Sequence, residues 1–205
     1  MYAGLDQGEH QEDSEGVKQK AMSLRVVIGV DPGQSGGIAV ALGATAVSAY
    51  PMPDTEGDVL NLLRAIVMEA GSEPLRAIVE EVGGFMGENQ PASRAFEFGR
   101  GHGFCLGVLA TLGARVELVR PQAWQKVLGL GNSGRVKAPP GANDEERKKI
   151  RAYNSNLKAE WKRKLKSKAQ ELFPGVNVTL KTCDALLLLE YGHRTEHLAS
   201  KKTMP

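Results

Sequence analysis

The stretch from Val26 to Val40 constrains the fold most, because it consists of two apolar runs joined by a short glycine-rich turn. Residues 26–30 are β-branched or glycine, as in a strand that is buried on both faces. A Pro-Gly pair and a Gly-Gly pair then indicate a tight hairpin. Asp31 therefore ends a central strand, where an uncompensated carboxylate is costly. Two interpretations are open here: Asp31 hydrogen-bonds the turn amides, or it serves metal or phosphate chemistry.

Apolar periodicity and turn residues predict the elements that follow. In the first half of the chain they are strands at 37–42 and 46–50, a helix from a cap at Asp54 or Thr55 to about Ala70, and a strand at 75–82. In the second half they are a helix at 92–112, a strand at 114–119, a short helix from Pro121, a loop at 131–142, a helix from a cap at Asn143 or Asp144 to about Leu172, and a last helix at 184–194.

Three acids occupy special positions in this order of elements. Asp31 ends the first strand, Glu80 ends the apolar run of the fourth strand, and Asp184 begins the last helix, just before a run of leucines. The first and fourth strands can lie side by side, so the three carboxylates can converge. Converging carboxylates repel one another unless divalent cations lie between them, and hard oxygen ligands suit Mg²⁺ or Mn²⁺. Two such ions, about 4 Å apart, can hydrolyse a phosphodiester.

The nearly neutral net charge of +2 hides an uneven distribution. Residues 135–168 contain twelve Lys or Arg and four Asp or Glu, whereas the remainder of the chain is acidic. A charge run is usually a solvated helix face, but this imbalance of sign favours contact with a polyanion. The predicted division is a disordered acidic tail at 1–21, one nuclease-like domain at 22–194 with a flexible basic insert at 131–160, and a C-terminal tail at 195–205.

Cysteine usage and hydropathy indicate the compartment. Cys105 and Cys183 both lie in apolar surroundings, which favours two buried thiols in a reducing environment. No apolar run approaches the roughly 20 residues of a membrane span. The acidic N-terminal stretch has neither a signal core nor the composition of a transit peptide. The sequence therefore predicts a cytoplasmic protein with no membrane partner.

An ordered set of motifs resembles the RuvC-type Holliday junction resolvases, with the phage and organellar branches nearest. These motifs, spread over residues 25–194, are Ile28-Gly29-Val30-Asp31-Pro32-Gly33, Val79-Glu80-Glu81-Val82, Phe98-Gly99-Arg100-Gly101, Val119-Arg120-Pro121-Gln122-Ala123-Trp124, Glu171-Leu172-Phe173-Pro174-Gly175 and Asp184-Ala185-Leu186-Leu187-Leu188. The resemblance implies an RNase H-like α/β fold with a five-stranded mixed sheet flanked by helices. It also implies a homodimer that resolves four-way or branched DNA by paired symmetric nicks.

The resemblance implies that Asp31, Glu80 and Asp184 are catalytic metal ligands. Glu80 rather than Glu81 is the expected ligand in the fourth strand, because strand alternation turns only one of them toward the site and the family motif places the ligand first. The family has a fourth ligand, a His or an acid, a few residues before Asp184. This sequence has Leu180, Lys181, Thr182 and Cys183 there, so Glu81, Glu190 or water are the substitutes left open.

The predicted DNA contacts come from three regions. Phe85 and Met86 stand in a Gly-rich loop beside the carboxylates; they either fold back onto the core or form a wedge that stacks on bases. Phe85 falls where the family has an aromatic residue at the junction centre. The basic residues expected to contact phosphates are Arg94, Arg100, Lys126, Lys162, Lys164 and Lys166.

Two other functions compete with the nuclease. A junction-binding protein with weak or no catalysis is favoured by the missing fourth ligand. An actin-like sugar kinase or ATPase also begins with Asp-x-Gly, but the chain is short for the duplicated domains of that fold, and the basic helix would then have no purpose.

Overall fold

The computed structural model describes residues 26–43, 46–81, 83 and 91–202. The predicted tail at 1–21 and the loop residues Phe85 and Met86 lie outside the described residues, so both predictions stay predictions. In chain order the strands are β1 (Val26–Asp31), β2 (Gly37–Leu42), β3 (Ala46–Pro51), β4 (Leu75–Glu80) and β5 (Arg115–Val119). The helices of this part are α1 (Glu56–Ala70), α2 (Ala92–Thr111), α3 (Pro121–Val127), α4 (Asp144–Leu172) and α5 (Cys183–Lys202).

The strands form one five-stranded mixed sheet in the order β3-β2-β1-β4-β5. The first three strands are a meander with antiparallel pairing, whereas β4 and β5 pair in parallel, β4 against β1 and β5 against β4. This order confirms the predicted α/β fold, with a five-stranded mixed sheet flanked by helices. It also confirms that the first and fourth strands are neighbours.

Helices cover both faces of the sheet, because residues of each strand alternate between two apolar clusters. Val27, Ile78 and their face-mates pack against α3, α4 and α5. Val26, Ile28 and Val79 pack against α1 and α2 on the opposite face. The acids at the strand ends can therefore be assigned to a face from their register alone.

Local sequence determines the helix starts as predicted. Thr55 caps α1 by accepting a hydrogen bond from the Asp58 backbone N–H at 3.1 Å. Asn143 caps α4 in a reciprocal capping box with Glu146. The side chain of Asn154 also exchanges two hydrogen bonds with the backbone of Val136, at 3.1 and 2.9 Å, and so ties the loop of the predicted insert to α4.

Two boundaries differ from the sequence prediction. Strand β4 ends at Glu80 rather than at residue 82. Helix α5 continues beyond Arg194 to Lys202, through a part of the predicted C-terminal tail. Arg76 stabilises the extension, because its guanidinium donates to the Gly192 carbonyl at 2.7 Å and to the Thr195 hydroxyl at 3.1 Å. The sequence from 195 to 202 also lacks Gly and Pro, which would end a helix.

Within the described part of the chain, no helix combines the length and apolar character that a membrane crossing requires.

Candidate active site

Two parallel strands bring Asp31 and Glu80 to the same corner of the sheet. Val30 of β1 pairs with Val79 of β4, and each strand ends one residue later, at Asp31 and at Glu80. Asp31 shares its face with Val27 and Gly29, and Glu80 shares its face with Ile78. Both carboxylates therefore lie on the side of the sheet that α3, α4 and α5 cover.

Helix α5 adds Asp184, and a glycine in β1 makes its close approach possible. A Cβ built on Gly29 would collide with the Ala185 carbonyl and lie 2.7 Å from the Leu189 backbone nitrogen. A Cβ on Gly37 would lie 3.0 Å from the Lys181 carbonyl. Because both positions lack a side chain, the first turn of α5 packs directly on β1 and β2. Asp184, whose side chain is 12% exposed, is thereby held beside Asp31.

The hairpin between β1 and β2 encloses Asp31 from the other side. The Gly36 backbone N–H donates to the Gly33 carbonyl at 2.8 Å and closes the turn. A Cβ on Gly36 would overlap the Asp31 backbone and lie 2.6 Å from its carboxyl carbon. The glycine-rich turn is thus needed for the backbone to fold tightly around this carboxylate.

Lys162 of α4 brings a positive charge to these acids. Its ammonium donates to Asp184 Oδ2 at 2.5 Å and lies 4.0 Å from Asp31 Oδ2. Its side chain is 29% exposed. Although burial opposes this, the neighbouring carboxylates of Asp184 and Asp31 hold the pKa of Lys162 above its ordinary value, so it stays protonated at neutral pH.

Trp124 of α3 orients Glu80. Its indole N–H donates to Glu80 Oε2 at 2.9 Å, and its ring is almost completely buried. The next residue, Glu81, accepts from Arg120 at 3.0 Å instead. The two neighbouring glutamates therefore have separate partners, Trp124 for Glu80 and Arg120 for Glu81.

Burial and mutual repulsion make the ionised acids unfavourable. Burial, and then the charge of Asp184, raises the pKa of Asp31 to about 6. Burial, and then the charge of Asp31, raises the pKa of Glu80 to about 7, against the hydrogen bond from Trp124. Burial and the adjacent Asp184 raise the pKa of the Cys183 thiol to about 12, so it stays a neutral donor to Asp184 Oδ1 at 3.2 Å. Asp31 and Glu80, with the Asp184 carboxylate beside them, present the hard oxygen atoms that a divalent cation prefers.

The distances between the acidic side chains limit how well they can enclose a metal ion. Among the described residues, no group of three or more His, Cys, Asp or Glu side chains is close enough as it stands to enclose a metal ion. The donor chemistry suits a cation, but the side chains have to move closer to it. The fourth-ligand candidates are engaged elsewhere, since Glu81 pairs with Arg120 and Glu190 accepts from Arg194 at 2.7 Å.

The basic residues that the sequence predicts to contact DNA are distributed over several elements. Arg94 and Lys126 are exposed on α2 and α3, and Lys166 is half-buried on α4. Arg100 forms ion pairs with Glu56 at 3.1 Å and Glu97 at 3.2 Å. Lys164 donates to the Leu130 carbonyl at 2.8 Å and lies 5.3 Å from the centre of the Trp161 ring. The structure does not bring these residues together with the acids, apart from Lys162.

Two contacts of the site are not predicted by the sequence. The charge pattern places Lys162 on a phosphate-facing surface, whereas in the structure it faces two of the predicted ligands. Its position three and seven residues before the buried Leu165 and Ala169 was the available signal, because residues at those spacings share a helix face. Trp124 was recognised only as part of a motif, and nothing in its spacing showed that its N–H reaches Glu80.

No protein-family model matches this chain, and no curated protein matches it. Among solved structures it is similar to RuvC from Thermus thermophilus, with 18% identity, a TM-score of 0.47, and coverage of 85% of this chain and 96% of that one. It is also similar to Thermus thermophilus RuvC in complex with a Holliday junction substrate, with 16% identity, the same TM-score and the same coverage. Similarity at this level transfers no residue role, and the predicted kinship with particular branches stays a prediction.

Proposed function

We propose that this chain is a divalent-metal-dependent endonuclease that nicks branched DNA such as four-way junctions. The observation that carries the proposal is the meeting of Asp31, Glu80 and Asp184, from three separate elements, with Lys162 at one corner of the sheet. Buried carboxylates that repel one another destabilise the fold, and apolar residues would stabilise the same positions better. Their presence therefore indicates a functional role.

Each side chain has a separate task in the proposed reaction. Asp31, Glu80 and Asp184 would hold Mg²⁺ or Mn²⁺, which when bound supplies an activated water and stabilises the leaving oxygen of a phosphodiester. Trp124 fixes the rotamer of Glu80 through the hydrogen bond to Oε2 and leaves Oε1 available. Lys162 offers an ammonium that offsets part of the negative charge of the acids, and so lowers their repulsion of an approaching phosphate.

Symmetric nicking belongs to the same proposal. A homodimer would present two such sites to opposing strands of one junction. Support comes from α2, where Gly99, Gly101, Gly103 and Gly107 face open space, so that a second chain can approach closely. Phe96 on the same helix is 68% exposed. The basic residues of α4 and the wedge at Phe85 and Met86 would then contact the DNA arms and the unpaired bases.

A junction-binding protein with little catalysis is the second candidate. It is favoured by the distances among the acids, which do not enclose a metal as they stand, and by the ion pair that Lys162 makes with Asp184. The actin-like kinase is less favoured, because the acids lie at the end of a single five-stranded sheet and the described residues include no second copy of that unit.

Neighbouring glutamates offer a matched test of the nuclease. Asp31→Asn and Glu80→Gln should lower the rate of junction nicking in Mn²⁺ by about 10²–10⁴-fold, the range that a positioned catalytic group contributes. Glu81→Gln removes the same charge one residue away, on the opposite side of the strand, and should nick at nearly the wild-type rate. Binding to the junction should be unchanged or tighter in all three variants, because each removes a negative charge near the DNA.

The outcomes separate the two candidates. A wild-type chain that binds four-way DNA tightly but does not nick it in Mg²⁺ or Mn²⁺ would establish the binding protein. Nicking by Asp31→Asn and Glu80→Gln at the wild-type rate would show that hydrolysis occurs elsewhere in the chain.

A further inference from the structure

The net charge of the acids at the corner of the sheet limits the number of divalent metal ions that they can hold. Asp31, Glu80 and Asp184 contribute three negative charges when ionised, and the Lys162 ammonium removes one of them. A net charge of −2 remains. One divalent cation brings the site to neutrality, whereas two would leave a net charge of +2 in a partly buried pocket, where uncompensated charge is unfavourable.

The ammonium has a fixed position in the fold. Lys162 lies on the face of α4 that Leu165 and Ala169 anchor in the core, at 2% and 0% exposure. From this position the Lys162 ammonium contacts Asp184 and lies 4.0 Å from Asp31. Its charge therefore belongs to the acidic corner of the sheet.

The hydrogen bonds that the acids accept also favour a single metal ion. Asp184 Oδ2 accepts from Lys162, and Asp184 Oδ1 accepts from the Cys183 thiol. Glu80 Oε2 accepts from Trp124. Asp31 also accepts a backbone hydrogen bond from Gly33. Glu80 Oε1 and one oxygen of Asp31 are therefore left as the main ligands. An octahedral cation such as Mg²⁺ can use these with several waters. Two such cations would compete for the same few oxygens.

We propose that this chain holds one divalent cation per site, on the Asp31 and Glu80 side, and that the Lys162 ammonium provides the second positive charge, on the Asp184 side. The inference rests on the proposed metal-dependent nuclease and revises the pair of ions that the sequence predicts from the three converging carboxylates. Lys162 occupies the Asp184 side through its hydrogen bond to Asp184 Oδ2. The site then needs only one binding equilibrium to become active.

The number of Mn²⁺ ions bound per chain tests this directly. Isothermal titration of the full chain, without DNA at pH 7.5, should give one Mn²⁺ for the wild type. Lys162→Glu removes the ammonium, adds a fourth carboxylate and should give two. Lys162→Met should still bind one Mn²⁺, about tenfold more tightly, because a like charge about 4 Å from the ligands has been removed.

A control variant isolates position from charge. Lys158→Glu makes the same change of charge one turn earlier on α4, at an exposed residue, and should still bind one Mn²⁺. The dependence of nicking on free Mn²⁺ extends the test to the DNA complex: its Hill coefficient should be close to one for the wild type. Circular dichroism shows whether each variant is folded, and if Lys162→Glu is not, the wild type and Lys162→Met still decide.

Each result has one meaning. Two Mn²⁺ ions bound by the wild type, or a Hill coefficient close to two, would overturn the inference and leave the nuclease proposal intact. A folded Lys162→Glu that binds only one Mn²⁺ would overturn the charge-balance argument. No binding of Mn²⁺ at millimolar concentration, together with no nicking, would remove the metal-dependent nuclease itself.

Discussion

The two halves of helix α4 have almost the same composition but different surroundings. Residues 144–159 and residues 160–172 contain five Lys or Arg each. In the outer half, 144–159, every residue is exposed or half-buried, and the helix extends for about 24 Å beside the loop at 131–143. In the inner half, 160–172, Leu165 and Ala169 are buried against the core, and Lys162 reaches two acids of the site.

This difference shows that one basic charge run can lie in two environments within one helix. The basic residues of the outer half are exposed to solvent. The inner half fixes one lysine as a structural and electrostatic part of the acidic corner. The deciding factor is the register of each lysine against the buried residues, since Lys162 shares their face and Lys158 does not.

The largest expected effect is a dependence of stability on pH that arises from the acids facing the inner half. In the folded chain the pKa of Asp31 is raised to about 6 and that of Glu80 to about 7. The folded state therefore binds more protons than the unfolded state between about pH 4 and 7, and the free energy of unfolding falls as the pH rises through this window. For each carboxyl the loss is up to about 3 kcal/mol.

Urea unfolding in EDTA at pH 5 and pH 8 measures this loss. Glu80→Gln should be more stable than the wild type at pH 8, because the amide needs no charge in the pocket, whereas Glu81→Gln should behave like the wild type. Addition of Mn²⁺ at pH 8 should restore stability to the wild type. A metal-free protein that is equally stable at both pH values would contradict the raised pKa values and the crowding of the acids.

The second effect compares one lysine from each half of α4. Without metal, Lys162→Ala leaves Asp31 and Asp184 uncompensated in a partly buried site and should lower the free energy of unfolding by about 2 kcal/mol. Lys158→Ala lies one turn away in the exposed half and should change it by less than about 0.5 kcal/mol. Both are measured by urea unfolding in EDTA at pH 8. Equal effects would mean that the two halves do not differ as described.

A double-mutant cycle adds a sharper test. If Lys162 acts by compensating the acids, Lys162→Ala should cost much less in the background of Asp184→Asn, where one of the two charges is already absent. The same cost in both backgrounds would mean that the aliphatic stem of Lys162, and not its charge, stabilises the fold.

The sequence predicted the fold largely because each element carries a local signal. The apolar run before Asp31, the caps at Thr55 and Asn143 and the alternation that separates Glu80 from Glu81 are all visible without coordinates. The extension of α5 was missed because its stabilising contact comes from Arg76, more than 100 residues earlier in the chain. The hydrogen bond between Trp124 and Glu80 was missed for the same reason, since a contact between distant elements has no periodicity of its own.

Replacing basic residues of the outer half of α4 should have the smallest effect on stability. The same replacement should have a clear effect on DNA binding. Lys148, Arg151 and Lys158 are exposed there, and replacement of all three by Gln should leave the free energy of unfolding within about 0.5 kcal/mol per site. If each contacts one phosphate, the slope of log affinity against log salt for a junction should flatten by about 0.9 per residue. Gel-shift titrations between low and moderate salt measure this slope.

Lys162→Met is the matched control for that measurement, because its charge is compensated by acids within the site. It should change the salt slope by much less than any one of the three outer residues does. A triple variant with an unchanged slope would show that the outer half is a solvated surface. A slope that flattens as much for Lys162→Met as for the triple variant would mean that both halves of α4 bind phosphate alike, and that the ion pair with Asp184 opens whenever DNA is present.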